Sequence, residues 1–279
     1  MKSPYAEHTD VSQASHAGGL RAYIEVFLAV LVAAVVLKIF VIGVIDVPSH
    51  SMEGTIVSGD YLIVNKLIYG ARSPKHFPFL TAGFPSFKMP GLRNVQRGDV
   101  IVFEFPVHDV QRNPYGETYF VKRCVAVAGD TLSIDDGIVM INRKRYSFPG
   151  DIDNKNSENV EPLVVPKSGD VVMLNDNTYP AYANIIIQEG HSVERLSENI
   201  FFIDGVKTNS YIIQQNYLYV LGDNRSHSYD SRAWGFLPET NVVGQATVVY
   251  WSVNPSTATN SVNDFFDAIQ WKRIAKFIQ

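Results

Sequence analysis

The stretch "TYFVKRCVAVAGD", residues 118–130, decides how the chain is read. It is rich in aromatic and β-branched residues and closes on Gly129-Asp130, the composition of a strand that ends in a turn. Lys122 interrupts it, and the alternation of the run turns this lysine inward. An ammonium group has no lone pair, and at the ordinary lysine pKa of ~10.4 only about one molecule in a few thousand is neutral at pH 7. Burial disfavours the charged form, so a lysine set in an apolar wall becomes a candidate general base. The alternative is a strand-edge lysine whose stem snorkels to water.

Similar grammar flanks it. "DYLIVNKLIYG" (60–70) and "GDVIVFEFP" (98–106) read as strands. "TLSIDDGIVMINRKRYSF" (131–148) alternates around Asp136-Gly137 and again around Asn142-Arg143, which predicts two hairpins. From residue 150 the texture turns to Asn, Asp, Glu and Ser with short apolar pieces such as "NIIIQEG", as an inserted β-rich subdomain over 150–213 would show. Strand and loop patterns return in "NYLYVLGDNRSHSYDSRAWGFLP" (216–238) and "VVGQATVVYWSV" (242–253). "NPSTATNS" is a linker, and "DAIQWKRIAKFIQ" (267–279) is expected to be helical, with apolar positions spread round the wheel. The expected organisation is a tail (1–21), a membrane helix (22–45), a catalytic core in two parts (46–149 and 214–253) around the insertion, and a linker with a C-terminal helix (254–279).

The span rests on Val26 to Ile45, a run whose only charge is Lys38. About 20 apolar residues cross a bilayer core. The run is too long for the apolar part of a cleaved leader, and no small-residue cleavage pattern follows it. Lys2 and Arg21 precede it and no basic residue follows before Lys66, which favours an inside N-terminus.

Composition excludes several classes. With 46% apolar residues among 279 the chain can bury a core. A formal charge of −4 with scattered basic residues gives no surface for tracking nucleic acid. The single cysteine, Cys124, excludes an internal disulfide, the seven histidines show no metal-ligand spacing, and GxGxxG and P-loop motifs are absent. Neither a metal nor an organic cofactor is expected.

"VPSHSMEG" (47–54) follows the span directly. In an extended segment Ser49 and Ser51 point one way and His50 the other, so His50 is badly placed to take a proton from either serine and is expected to be a bystander.

Three stretches, in this order, resemble the bacterial type I signal peptidase family: "PSHSMEGTI", then "RGDVIVFEFP" with "YFVKRCVAVAGD", then "GDNRSHSYDSRAWGFLP". The likeness extends over most of residues 46–150 and 216–252. It implies a mainly β fold, with an N-terminal transmembrane helix followed by a signal-peptidase-like, LexA-like antiparallel catalytic domain carrying an inserted subdomain. It also implies a serine endopeptidase of the Ser/Lys type, held by a single span in the inner (plasma) membrane with its catalytic domain outside the cytoplasm. Signal-bearing exported precursors and the lipid bilayer are the partners it implies. By position, Ser51 matches the nucleophile and Lys122 the general base. Ser49 matches a hydroxyl that joins the Ser51 backbone N–H in an oxyanion hole. Ser228 matches the serine that orients the amine, Asp230 and Arg232 match a supporting ion pair, and Asp223 is expected to pair with Arg123. Val47, Pro48, Met52, Ile56, Phe120 and Val121 fall near the pocket for the residue before the cut. The chain departs from the family pattern at Gly54, where proline is usual, and at His50, where glycine is frequent. A protease maturing one dedicated exported partner and an inactive peptide-binding scaffold are the rival readings.

Overall fold

The computed structural model of the chain describes residues 14–72, 88–106, 119–148, 159–257 and 262–279. The expected tail up to residue 13 and the boundary expected between 149 and 150 lie outside them. Helix α1, Ala14–Val36, relaxes into a π-helical stretch, Leu37–Val41, and strand β1, Ile42–Asp46, follows at once. Leu20–Val41 is long and apolar enough to cross a membrane and is not buried by the rest of the chain. The helix therefore stops four residues before the expected end at 45. Residues 42–46 pair with strand β2, Asp60–Asn65, from Ile42↔Asn65 to Asp46↔Tyr61. The cause is local: Gly43 is a poor helix former, and Ile42, Val44 and Ile45 are β-branched.

After β2 come β3, Val100–Glu104, and β4, Tyr119–Val127. Next, β5 (Thr131–Asp135), β6 (Ile138–Ile141), β7 (Lys144–Arg145) and β8 (Val160–Val164) form a four-stranded sheet. The two predicted hairpins are present. Asp136 and Gly137 have φ of 46° and 77°, and Asn142 and Arg143 of 52° and 65°, so both turns have the left-handed central pair that suits the twist of a hairpin.

The chain then forms β9 (Val171–Met173), helix α2 (Tyr179–Gln188), the meander β10 (Val193–Ser197), β11 (Ile200–Ile203) and β12 (Val206–Thr208), and β13 (Ser210–Ile212), which pairs with β9. It returns through β14 (Tyr217–Leu221), the short helix α3 (Ser231–Trp234), β15 (Leu237–Pro238) and the long β16 (Val242–Ser252). It closes with helix α4 (Val262–Ala268) and β17 (Lys276–Phe277).

The main sheet is antiparallel throughout in the order β1-β2-β16-β3-β4-β14-β15, with β17 added on β16. One cluster, including Val47, Met52, Ile56, Leu62, Val100, Val121 and Val249, packs at its β1-β2 end. A second gathers Ile101, Phe103, Phe120, Cys124, Val220 and Trp234. The third joins Val125, Tyr217 and Tyr219 of the main sheet to Leu132, Val139, Leu174, Ile185 and Phe201. The hairpins before residue 149 thus share a sheet and a core with β8 and the residues after it, whereas an insertion beginning at 150 was expected. Its strand-like isoleucines also include helix α2, which begins beside Pro180, ends before Gly190 and buries Ile185 and Ile186.

The tail departs from a continuous helix. Beyond α4 it makes a 3-10 turn at Trp271–Arg273, passes through Ala275 at φ 63°, and pairs as β17. Arg273 grips the fully buried Asp60 through two hydrogen bonds, Nε–Oδ1 at 2.8 Å and Nη2–Oδ2 at 2.5 Å, and Ile278 packs on the core. Arg273→Ala leaves that carboxylate with the Val57 N–H at 2.9 Å but without its cation, and a loss of about 3 kcal/mol in unfolding free energy is expected by thermal or denaturant melting of the detergent-solubilised chain.

Candidate active site

Beyond β1 the chain stays tied to β2 by Val47 N–H to Asp60 O and Gly59 N–H to Val47 O, both 2.9 Å. It then runs through Pro48 to Ser51 and turns, with Thr55 and Ile56 donating back to the Met52 carbonyl at 3.1 and 2.9 Å. Gly54 takes φ 106° in that turn, a torsion proline cannot reach, so the turn here is shaped differently from one with proline at this point.

The turn sets Ser51 against the inward face of β4. Lys122 Nζ lies 2.6 Å from Ser51 Oγ and 3.1 Å from the Val121 carbonyl oxygen. Ser51 is 5% exposed and Lys122 is 3% exposed. The amine also sits 5.6 Å from the centre of the Phe120 ring. Ser49 Oγ is 3.2 Å from Ser51 Oγ, so the two hydroxyls do share a side, while His50 is exposed.

Arg123, the next residue on β4, is fully buried and uses every N–H it has. Nε and Nη2 meet the two Asp223 oxygens at 2.8 and 2.7 Å, Nη1 donates to Gly98 O and Gln279 O at 2.8 and 3.0 Å, and Nη2 also reaches Thr55 Oγ1 at 3.1 Å. Thr55 in turn donates to Asp223 at 2.6 Å. The loop that carries Asp223 holds the serine: Asn224 N–H donates to Ser51 O at 3.0 Å, and its side-chain amide to His50 O at 3.1 Å.

Gly222 is where this loop comes closest. A Cβ there would stand 2.2 Å from Ser228 Oγ and 2.5 Å from Ser51 O, so no side chain fits. Ser228 Oγ is thereby pressed against the backbone that supports Ser51. Asp230 binds Arg232 through Nε–Oδ1 and Nη2–Oδ2, both 2.8 Å, and accepts from Gly222 N–H at 3.0 Å. Burial pushes the Asp230 pKa up, against the pull of the Gly222 N–H and the Lys122 charge, and burial pushes the Arg232 guanidinium down.

Two cavities meet at Ser51. The first, about 320 Å³, is lined by residues that include Asp46, Val47, Pro48, Met52, Tyr119 and Val121; the second, about 370 Å³, by Pro48, His50, Phe120, Val121, Lys122, His227 and Tyr229 among others. Of the residues expected near the pocket, Ile56 lines neither and lies wholly within the core. Sequence reading passed over Thr55, Gly222 and Asn224 as individual residues, although the quoted motifs contain all three.

An amine in contact with a hydroxyl where two open cavities meet, carried on an antiparallel β domain behind an apolar helix, has the layout of a hydrolase of the serine peptidase class. The model of the family "Signal peptidase, peptidase S26" matches residues 20–251, and the chain belongs to that family. The Haemophilus influenzae signal peptidase I is 28% identical over 83% of this chain and 69% of its own length, and that of Helicobacter pylori (strain 26695) is 28% identical over 92% of both. A crystal structure of a signal peptidase I from Enterococcus faecalis, 19% identical, covers 56% of this chain and all of its own with a TM-score of 0.30.

Gly222→Ala is expected to lower unfolding free energy by about 1–3 kcal/mol, because the neighbours of the new methyl include main chain that cannot rotate away. Thermal melting reads the loss, and restoring glycine reverses it.

Proposed function

We propose that the chain is a signal peptidase I in which Ser51 is the nucleophile and Lys122 its general base, and that it cuts the signal segments from exported precursors. The observation that carries the reading is the 2.6 Å contact between Lys122 Nζ and Ser51 Oγ, made with both side chains almost fully withdrawn from solvent. Desolvation favours the uncharged amine, the only form with a lone pair to offer.

The substrate enters as a strand. Strand β14 pairs with β4 only as far as Leu221↔Arg123, so Tyr119 to Val121 have no strand partner on that edge among the described residues. Residues 46–49 form the facing wall of the first cavity. An extended peptide laid between them gains main-chain hydrogen bonds, and the apolar lining from Val47, Met52 and Val121 admits small side chains. Pro48, Phe120 and Val121 continue the wall into the second cavity.

Neutral Lys122 takes the Ser51 proton as Oγ bonds to the scissile carbonyl carbon. The negative oxygen would be met by the Ser49 hydroxyl, which stands beside Ser51 Oγ, and by the Ser51 backbone N–H. The C–N bond breaks as the ammonium returns its proton to the departing amine. Water, deprotonated by Lys122, then releases the acyl group and regenerates Ser51. Ser228, packed against Gly222, and the Asp230–Arg232 pair, whose carboxylate feels the Lys122 charge, back the site, and Arg123 and Asp223 hold the loop behind the serine.

Helix α1 would hold this groove at the outer face of the inner (plasma) membrane as a single span with the N-terminus inside. A precursor whose own apolar helix lies in the same bilayer meets the enzyme in one plane, which lowers the cost of encounter.

Ser51→Ala and Lys122→Met should each abolish cleavage of a purified precursor, and Ser49→Ala should lower kcat about 10²- to 10³-fold. Cleavage falls as pH drops, since protonation of Lys122 removes the base. Loss of the dyad without loss of cleavage overturns the mechanism. Cleavage of a single precursor out of several unrelated ones favours a dedicated maturase, and an acylating inhibitor that leaves Ser51 unmodified favours a peptide-binding scaffold.

A further inference from the structure

A third cavity, of about 610 Å³, opens where α1 meets the sheet. Its size falls within the roughly 300–1,000 Å³ of ordinary ligand sites. Leu37, Val44, Val64 and Val243 give it apolar walls, and its charged residues are Lys38 and Lys66; among the described residues no carboxylate lines it. Asp46, at the far end of β1, lines the first cavity instead. The cleavage chemistry uses neither lysine.

The fold holds these two cations together at the level where the span ends. Leu20–Val41 is the membrane-length segment, so Lys38 sits within one turn of its sheet-side end. The helix leaves through a π-helical turn in which the Ile42 N–H donates to Leu37 O, five residues back. The last carbonyls of a helix have no partner of their own. Lys66 supplies one, with its backbone N–H on Val41 O at 2.9 Å and its Nζ on Lys38 O and Ile39 O at 3.3 and 3.2 Å. An ammonium has three N–H groups, so one is left over. The Lys38 side chain makes no hydrogen bond or ion pair among the described residues. Lys66 is half-buried, and burial, followed by the charge of Lys38, lowers its pKa. Two like charges held within reach of each other attract an anion, and the walls beside them favour hydrocarbon.

We infer that this cavity binds an anionic phospholipid, with the phosphate between Lys38 and Lys66 and an acyl chain along Val44, Val64 and Val243. The site goes beyond the peptidase reading and rests only on α1 spanning a bilayer. A bilayer presents a ligand of that composition at the depth where the span ends, and lysine stems are long enough to reach its headgroups. A zwitterionic headgroup brings its own ammonium to a place that already holds two, so the lysines select among headgroups and do more than touch the membrane.

The test places the full chain in nanodiscs of phosphatidylcholine doped with a lipid that has a photoactivatable acyl chain and either a phosphatidylglycerol or a phosphatidylcholine headgroup. After irradiation, peptide mapping compares adducts on β1 and β16 with adducts on the exposed residues of α1 from Leu20 to Val36, which any surrounding lipid labels. In the wild type the glycerol headgroup is expected to raise this ratio roughly twentyfold over the choline one. Lys38→Gln and Lys66→Gln should each lower it about fivefold, the effect of one cation beside an anionic lipid, and the double variant should erase the preference. Lys38→Gln breaks no hydrogen bond or ion pair, so its result stands even where Lys66→Gln loosens the junction. Equal ratios for the two headgroups, or a preference that survives the double variant, overturn the site. So does displacement of the label by glycerol phosphate, which makes the cavity a place for free phosphate, or by a precursor with an uncleavable junction, which gives it to the signal segment. Cleavage enters none of these readouts, so the peptidase reading stands or falls apart from them.

Discussion

The buried pair between Arg123 and Asp223 draws five separate segments to one point: strand β4, the turn after Ser51 through Thr55, the turn at Gly98, the loop after β14 and the terminal Gln279 carbonyl. Both partners are fully enclosed. Taking two charges out of water costs several kcal/mol for each ion, so the pair adds little to net stability; removing one partner, which leaves the other alone, costs roughly 3–5 kcal/mol. What it supplies is registry. With Asp223 fixed, the next residue's N–H reaches the Ser51 carbonyl at 3.0 Å, and the serine is aimed.

Adjacent residues on β4 carry opposite duties because successive side chains leave a strand on opposite faces. A guanidinium stays charged in any protein environment, so Arg123 can serve as a permanent cation only where acceptors surround it, as five do here. Lys122 can shed its charge, and its neighbours include a phenyl ring, a hydroxyl and a carbonyl oxygen. Asp230 stays within electrostatic reach of Lys122 without taking its place beside Ser51.

The legible parts of the sequence were those governed by local rules. Alternation alone placed Ser49 with Ser51 and away from His50, and paired Asp-Gly and Asn-Arg turns located both hairpins of residues 131–148. Long-range packing hid the rest. Three isoleucines at 185–187 look the same in a strand and in a buried helix, and only the wall offered by Phe201 and Leu174 decides for α2. The tail carries a helix-like composition, but Asp60, more than two hundred residues away, takes Arg273 and turns the end of the chain into a strand. Thr55 and Gly222 were visible as letters. Their parts, bridging Arg123 to Asp223 and leaving room for two backbones to touch, exist only after folding.

The junction between helix and sheet has a mechanical consequence. No loop separates Val41 from Ile42, and Lys66 of the sheet reaches back to the last turns of the helix, donating to Lys38 O and Ile39 O at 3.3 and 3.2 Å. Gly43 makes that possible, since any side chain there would crowd the lysine stem at 3.1 Å. Spanning helices accommodate bilayer thickness by tilting, and with no linker between helix and sheet a tilt of the one is passed on to the other, so the height of the groove above a bilayer is tied to the angle of α1.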